Sequence, residues 1–115
     1  MTDSRSQITI KREVTADSWT LWLSGELDLA SAGVLDTTIA ELCADGASRI
    51  LLEMADLVFM DSTGVRSLLV GHELCAVNGC DMSIGSVSPQ VARLFEVSGL
   101  GEKLPRRASS TADEA

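Results

Sequence analysis

Asp61-Ser62-Thr63-Gly64 is the stretch of this 115-residue chain best suited to chemistry, with a carboxylate, two hydroxyls and a glycine in consecutive positions. Three kinds of chemistry compete for it. An aspartic-protease type of site needs its glycine two residues after the aspartate, and a second carboxylate sharing a proton with the first. Here the glycine stands three residues on, and no second copy of the stretch exists. A nucleophilic Ser62 needs a general base within hydrogen-bond reach, and the chain's only histidine is His72. Ten residues of helix put it about 15 Å away along the axis. Asp61 is too weak a base to activate a serine efficiently. No Gly-x-x-x-x-Gly-Lys-Ser/Thr phosphate cradle exists either, which argues against an NTPase. In the third reading Ser62 is a helix N-cap whose hydroxyl is also a substrate for another protein's kinase. The cap alone is worth about 1 kcal/mol. On these residues alone, a plain cap outweighs a phosphate acceptor.

The other candidate ligands are Cys43, Cys75, Cys80 and His72. His72 and Cys75 share a helix face and Cys80 follows closely, but compact Cys-x-x-Cys spacing is missing. An odd number of cysteines in apolar surroundings reads as reduced core thiols, with no metal and no disulfide framework. No cofactor is expected. Seventeen acidic against nine basic residues give a formal charge of -8, which repels nucleic acid and anionic lipid alike. No apolar run approaches the roughly 20 residues of a spanning helix, and no signal-peptide apolar region follows Met1. The expectation is a soluble cytoplasmic protein without membrane insertion, a monomer or weak dimer with one core.

These residues need elements to position them. After a polar leader (1–6), Gln7 to Val14 alternates apolar and polar, Thr15-Ala16-Asp17-Ser18 can turn, and Trp19 to Ser24 alternates again. An antiparallel hairpin follows, with Ile8, Ile10, Trp19, Leu21 and Leu23 facing the core. Trp22 has the opposite parity, and a terminal segment is expected to cover it, with an interface as the alternative. Gly25-Glu26-Leu27-Asp28 leaves the second strand for a helix carrying Leu35, Ile39, Leu42 and Cys43, stopped by Asp45-Gly46. Arg49 to Met54 reads as a central strand, parallel to the second through a crossover.

From Ser62 to Asn78 the spacing predicts a helix with Val65, Leu68, Leu69, His72, Cys75 and Ala76 on one face, His72 at its centre. A second stripe of Val70, Leu74 and Val77 is expected to pack on a neighbouring helix, with an interface as the alternative. Asn78-Gly79 ends that helix, and Cys80 to Gly85 alternates as a strand. Ser88-Pro89 then caps a helix through Val91, Leu94 and Phe95, which Gly99 closes. Residues 105–115 are expected to be a mobile polar tail.

Three stretches carry a likeness to a known family: Gly25-Glu26-Leu27-Asp28, Leu57-Val58-Phe59-Met60-Asp61-Ser62-Thr63-Gly64, and Leu94-Phe95-Glu96-Val97-Ser98-Gly99-Leu100. With the order of elements, they make residues 7–104 resemble the STAS-domain anti-sigma factor antagonists. The resemblance implies an α/β fold. It has a mixed four-stranded sheet, built from an N-terminal antiparallel hairpin plus a parallel βαβαβ unit, with helices mainly on one face. It implies a non-enzymatic protein that binds an anti-sigma factor serine kinase and frees the sigma factor. On that match Ser62 is phosphorylated by the kinase, with Thr63 the alternative acceptor, and a phosphatase resets it. Asp28, Asp61, Ser62, Thr63, Gly64 and Arg66 form the implied docking surface. Glu53 stands where the family commonly has aspartate, a difference expected to matter little on a strand. A stand-alone STAS subunit docking in a transport or signalling assembly is the alternative role.

Overall fold

The structure, a computed structural model, describes residues 8–99 and 102–106. Among these, β1 (Ile8–Thr15), β2 (Ser18–Leu27), β3 (Arg49–Met60) and β4 (Asp81–Val87) form one sheet in the order β1-β2-β3-β4. β1 runs antiparallel to β2, and β2, β3 and β4 run parallel. The helices α1 (Ala32–Ala44), α2 (Ser62–Val77) and α3 (Pro89–Ser98) follow β2, β3 and β4 in turn. This is the expected mixed α/β architecture.

The hairpin register pairs Ile10 with Leu23 and Val14 with Trp19, so Ile8, Ile10 and Trp19 reach the core beside fully buried Leu21 and Leu23. From β3 and β4, Ile50, Leu52, Met54, Met82 and Ile84 join one apolar cluster with Leu35, Ile39 and Leu42 of α1, Leu68 of α2, and Val91 and Phe95 of α3. Arg12 on the same side of β1 reaches Glu41 of α1 at 3.0 Å. The caps follow the sequence. Ser88 accepts the Val91 N–H, Pro89 opens α3, and Gly99 ends it at φ 73°, where a side chain would be strained.

Both central strands are longer than their patterns suggest. β2 continues to Leu27 and β3 to Met60, with register shifts between Trp22 and Ser24, between Gly25 and Glu26, and between Leu52 and Met54. Gly25 takes φ 99°, a conformation open to glycine, which lets β2 pass the irregularity and go on pairing. The bulges shift the phase of the alternation, so a strict period of two loses the strand at Ala55-Asp56.

The buried face of α2 is rotated from the expected one. Gly64, Ser67, Leu68, Gly71 and Cys75 are buried, His72 is half-buried at the edge, and Ala76 is exposed. The small residues decide this, because Gly71 lets α1 approach so closely that a Cβ there would lie 2.9 Å from Cδ1 of Ile39. The stripe of Val70, Leu74 and Val77, expected against a helix, is exposed instead. Of the tail expected from 105 onward, Pro105 and Arg106 are described and run along the outer edge of β4. The Ile84 N–H donates to the Pro105 carbonyl at 2.9 Å, and Arg106 donates to that of Gly85 at 2.9 Å. Residues 107–115 and the leader lie outside the described residues.

Candidate functional site: the β3–α2 corner

The corner sits where β2 and β3 end side by side. Leu27 pairs with Met60, so Asp28 and Asp61 are the next residues of two adjacent strands, and the Asp61 N–H donates to the Leu27 carbonyl at 3.3 Å. Asp61 is extended (φ -112°, ψ -172°) and its Oδ1 accepts the Gly64 N–H at 3.1 Å. The N-cap is therefore Asp61 and not Ser62 as expected. Asp61 is the last residue before the chain turns helical, and its carboxylate spans the three residues to the unpaired donor at Gly64. Ser62 becomes the first helical residue. Its side chain is exposed and makes no hydrogen bond among the described residues.

Thr63 is half-buried and Gly64 fully buried. A Cβ on Gly64 would stand 2.6 Å from Cγ of Met60 and 2.7 Å from the Leu27 carbonyl oxygen, so the glycine lets the helix start sit on the end of β2. Arg66 is exposed four residues after Ser62, with no ion-pair partner among the described residues. Residues four apart share a helix face, and helical side chains lean toward the N-terminus, so Arg66 is on the side of Ser62.

Asp28 organises the adjoining turn. Its Oδ1 accepts the Ala30 N–H at 3.1 Å and the Ser31 N–H at 3.2 Å, while the buried Ser31 hydroxyl donates to the Glu26 carbonyl at 2.7 Å. Sequence reading passed over Ser31, although Asp-x-x-Ser at a strand end is a signal for such a turn. The sequence marks Val58 and Phe59 only as part of the apolar run into the corner and gives no sign of Leu29, yet this end of the sheet exposes Leu29, Val58 and Phe59 by 79%, 57% and 46%. Four consecutive apolar residues, Leu57 to Met60, cannot all face inward on a strand.

The geometry fits docking and not turnover. Ser62 and His72 lie ten residues apart on one helix, so the base stays out of reach, and the Asp61 carboxylate is engaged as the cap on the Gly64 N–H. A family model described as "Mlab, STAS domain" matches residues 10–106. The chain belongs to the STAS-domain family. This STAS domain is 33% identical over 84 residues to an anti-sigma F factor antagonist of Paenibacillus polymyxa, covering 72% of each chain. It is 32% identical over 89 residues to an anti-sigma-B factor antagonist of Bacillus subtilis, covering 76% of this chain and 80% of the relative. Its fold matches the anti-sigma factor antagonist SpoIIAA in its unphosphorylated form with a TM-score of 0.76 at 25% identity, covering 92% of this chain and 94% of the other. The Bacillus SpoIIAA in its phosphorylated form matches with 0.67 at 30%, covering 92% and 97%. These relatives are regulatory proteins, and this STAS domain stands with them and not with enzymes.

Two other places in the STAS domain gather polar or sulfur-bearing side chains away from the corner. On the sheet face away from the main core, Thr9, Lys11, Glu13, Trp22, Ser24, Glu53 and Asp56 line an open depression of about 450 Å³. Trp22 donates its indole N–H to Glu13 there at 3.1 Å, and the terminal segments expected to cover it lie outside the described residues. Glu53 is buried, with a relative exposure of 3%. Its Oε1 accepts the Ser86 N–H at 2.8 Å, and its Oε2 has no partner among the described residues. The carboxylate lies against Gly85, where a Cβ would come within 2.6 Å of Oε1. Glu53 is thus fitted to a glycine on the next strand.

The second place is the meeting point of Cys43, Cys75 and Cys80, whose sulfurs all lie within 4.8 Å of one another. Burial pushes the thiols of Cys75 and Cys80 up, and they are free of disulfides. His72, paired with Cys75 and Cys80 in the sequence, is not part of this group; Cys43 takes its place.

Proposed function

We propose that this chain is an anti-sigma factor antagonist whose unphosphorylated form binds an anti-sigma factor serine kinase and frees the sigma factor, and that phosphate on Ser62 blocks binding. The observation that carries the reading is the exposed, unbonded Ser62 hydroxyl directly after the Asp61 cap. The exposed Leu29, Val58 and Phe59 supply apolar docking surface at the same sheet end. Relatives named as antagonists, one of them solved in phosphorylated and unphosphorylated forms, support it.

A phosphate adds about -1.5 to -2 charges at pH 7. At the first position of α2 it meets the helix dipole and the unpaired end of the backbone ladder, and Arg66 is four residues away for a charge-assisted bond. The fold therefore tolerates the modification. Docking does not, because the dianion and Asp61 must lose water together against a partner, and an unpaired charge in such a surface costs several kcal/mol. The switch is a rigid-body block, reset by a phosphatase.

The test is incubation with candidate anti-sigma kinases and ATP, followed by mass spectrometry. Label on Ser62 that vanishes in Ser62→Ala supports the reading, and label on Thr63 moves the acceptor by one residue. Ser62→Glu is expected to lose affinity for the anti-sigma factor while Ser62→Ala keeps it; equal affinities would count against a charge switch. The exposed Val70, Leu74 and Val77 favour a second reading, a docking subunit of a transport or signalling assembly. It predicts that Leu74→Asp breaks the assembly while Ser62→Glu leaves it intact.

A further inference from the structure

At the end of α2 remote from Ser62, the fold joins three cysteines from separate elements. Cys43 lies in the last turn of α1, Cys75 in the last turn of α2, and Cys80 just before β4. We propose that Cys43, Cys75 and Cys80 form a three-thiolate site for a soft d10 cation, with zinc the reference ion and water the fourth ligand.

The distances suit such an ion. Zinc binds thiolate at about 2.3 Å, which in tetrahedral geometry sets the sulfurs about 3.8 Å apart. The Cys43 and Cys75 sulfurs are 3.6 Å apart, and all three lie within 4.8 Å. The Cys43–Cys75 pair already meets that spacing, and the sulfur pairs that include Cys80 need to close by about 1 Å or less to reach it, a shift within the reach of side-chain rotation.

The backbone already holds the ligands in place. After α2 the chain doubles back, with the Cys80 N–H donating to the Cys75 carbonyl at 2.8 Å and Gly79 at φ 74°. This sets Cys75 and Cys80 side by side. Gly71 brings α1 against α2, and the Gly46 N–H bonds the Cys43 carbonyl at 3.1 Å, so Cys43 is fixed opposite them. Ligands on rigid elements hold their geometry better than ligands on loops.

Thiolates select zinc-like or cuprous ions over magnesium or calcium, which take oxygen ligands. Three protein ligands are the number found in open zinc sites, and the half-buried position of Cys43 admits water to the cluster. Binding a divalent ion replaces three S–H bonds with three metal–sulfur bonds and releases three protons. The product carries a net charge of -1, with no change of oxidation state. The bound ion would clamp the end of α1 to the α2–β4 turn.

The experiment titrates the full chain, reduced and stripped with chelator, with Cd²⁺ while following thiolate-to-cadmium absorption in the ultraviolet. The expected result is saturation at one ion per chain, with a raised thermal midpoint. Cys43→Ser is expected to weaken binding by more than about tenfold, since even residues that only support a ligand cost about 10- to 100-fold. Its half-buried position makes the folded spectrum by circular dichroism a usable control, and Cys80→Ala gives a second variant. No saturable band, an unchanged affinity in Cys43→Ser, or a Cys43–Cys75 disulfide without metal uptake would overturn the site.

Discussion

Replacing Gly64 with alanine tests whether the corner owes its shape to close packing on the end of β2. The added Cβ would stand 2.6 Å from Cγ of Met60, 2.7 Å from the carbonyl oxygen of Leu27 and 3.0 Å from Cγ of Leu27. Met60 can rotate away. The Leu27 carbonyl cannot, because it belongs to β2 and accepts the Asp61 N–H at 3.3 Å, so relief must move the strand end or the helix start. Overpacking of this kind costs about 1 to 3 kcal/mol, and alanine returns at most about 1 kcal/mol of helix propensity. The net loss is about 1 to 2 kcal/mol, and each 1 kcal/mol lowers the thermal midpoint of a domain this size by roughly 4 to 8 °C.

Two other helical glycines calibrate the result. At Gly33 a Cβ meets nothing within 4 Å, so Gly33→Ala should gain about 0.5 to 1 kcal/mol. At Gly71 it meets the tip of Ile39 at 2.9 Å, a side chain able to shift, so Gly71→Ala should fall between the other two. Urea unfolding followed by circular dichroism, at constant slope, gives the order. A Gly64→Ala protein as stable as the parent would refute the reasoning, since the same alanine would then fit where backbone blocks it.

The remaining expectations concern single side chains. Asp61→Ala should cost about 1 kcal/mol by removing the cap on Gly64, while Asp61→Asn keeps an acceptor and most of the stability; equal losses in urea unfolding would deny the cap. Ser62→Ala should change stability by less than about 0.5 kcal/mol, because no hydrogen bond is lost, so its effect in a binding assay reads docking alone. Glu53→Ala should cost about 1 to 3 kcal/mol, since it leaves the Ser86 N–H without its acceptor. Unchanged stability in urea unfolding would deny that bond.

How much of this was legible in the sequence depends on the range of the interaction. Ser88-Pro89 and Gly99 bound α3 through contacts a few residues long, and Asp45-Gly46 and Asn78-Gly79 stop α1 and α2 in the same way, so these signals hold. The corner itself was found by such signals, although its cap was placed one residue late, because aspartate and serine are nearly equal as caps and the choice lies in the extended backbone at Asp61. Periodicity was less faithful where it met backbone. It lost the ends of β2 and β3 to bulges at Gly25 and Met54. It also turned α2 by part of a face, since it gives no weight to Gly64 and Gly71, and those two glycines determine how near β2 and α1 can come.

The same division separates the two ends of α2. At the N-terminus, the Gly64 N–H reaches the Asp61 carboxylate within three residues and leaves Ser62 between them unbonded, so the spacing alone shows a turn with an available hydroxyl. At the C-terminus, Cys75 and Cys80 are five residues apart but Cys43 is 32 residues before Cys75, and no pattern along the chain joins it to them. What joins them is the small Gly71, which lets the two helices close to the distance at which Cys43 and Cys75 touch. A bulkier residue there would spread α1 from α2 and separate the sulfurs while leaving the corner's own hydrogen bonds in place. One helix thus carries two chemistries set by different rules: a hydroxyl whose exposure is decided locally, and a thiol cluster that exists only because a distant helix packs against it.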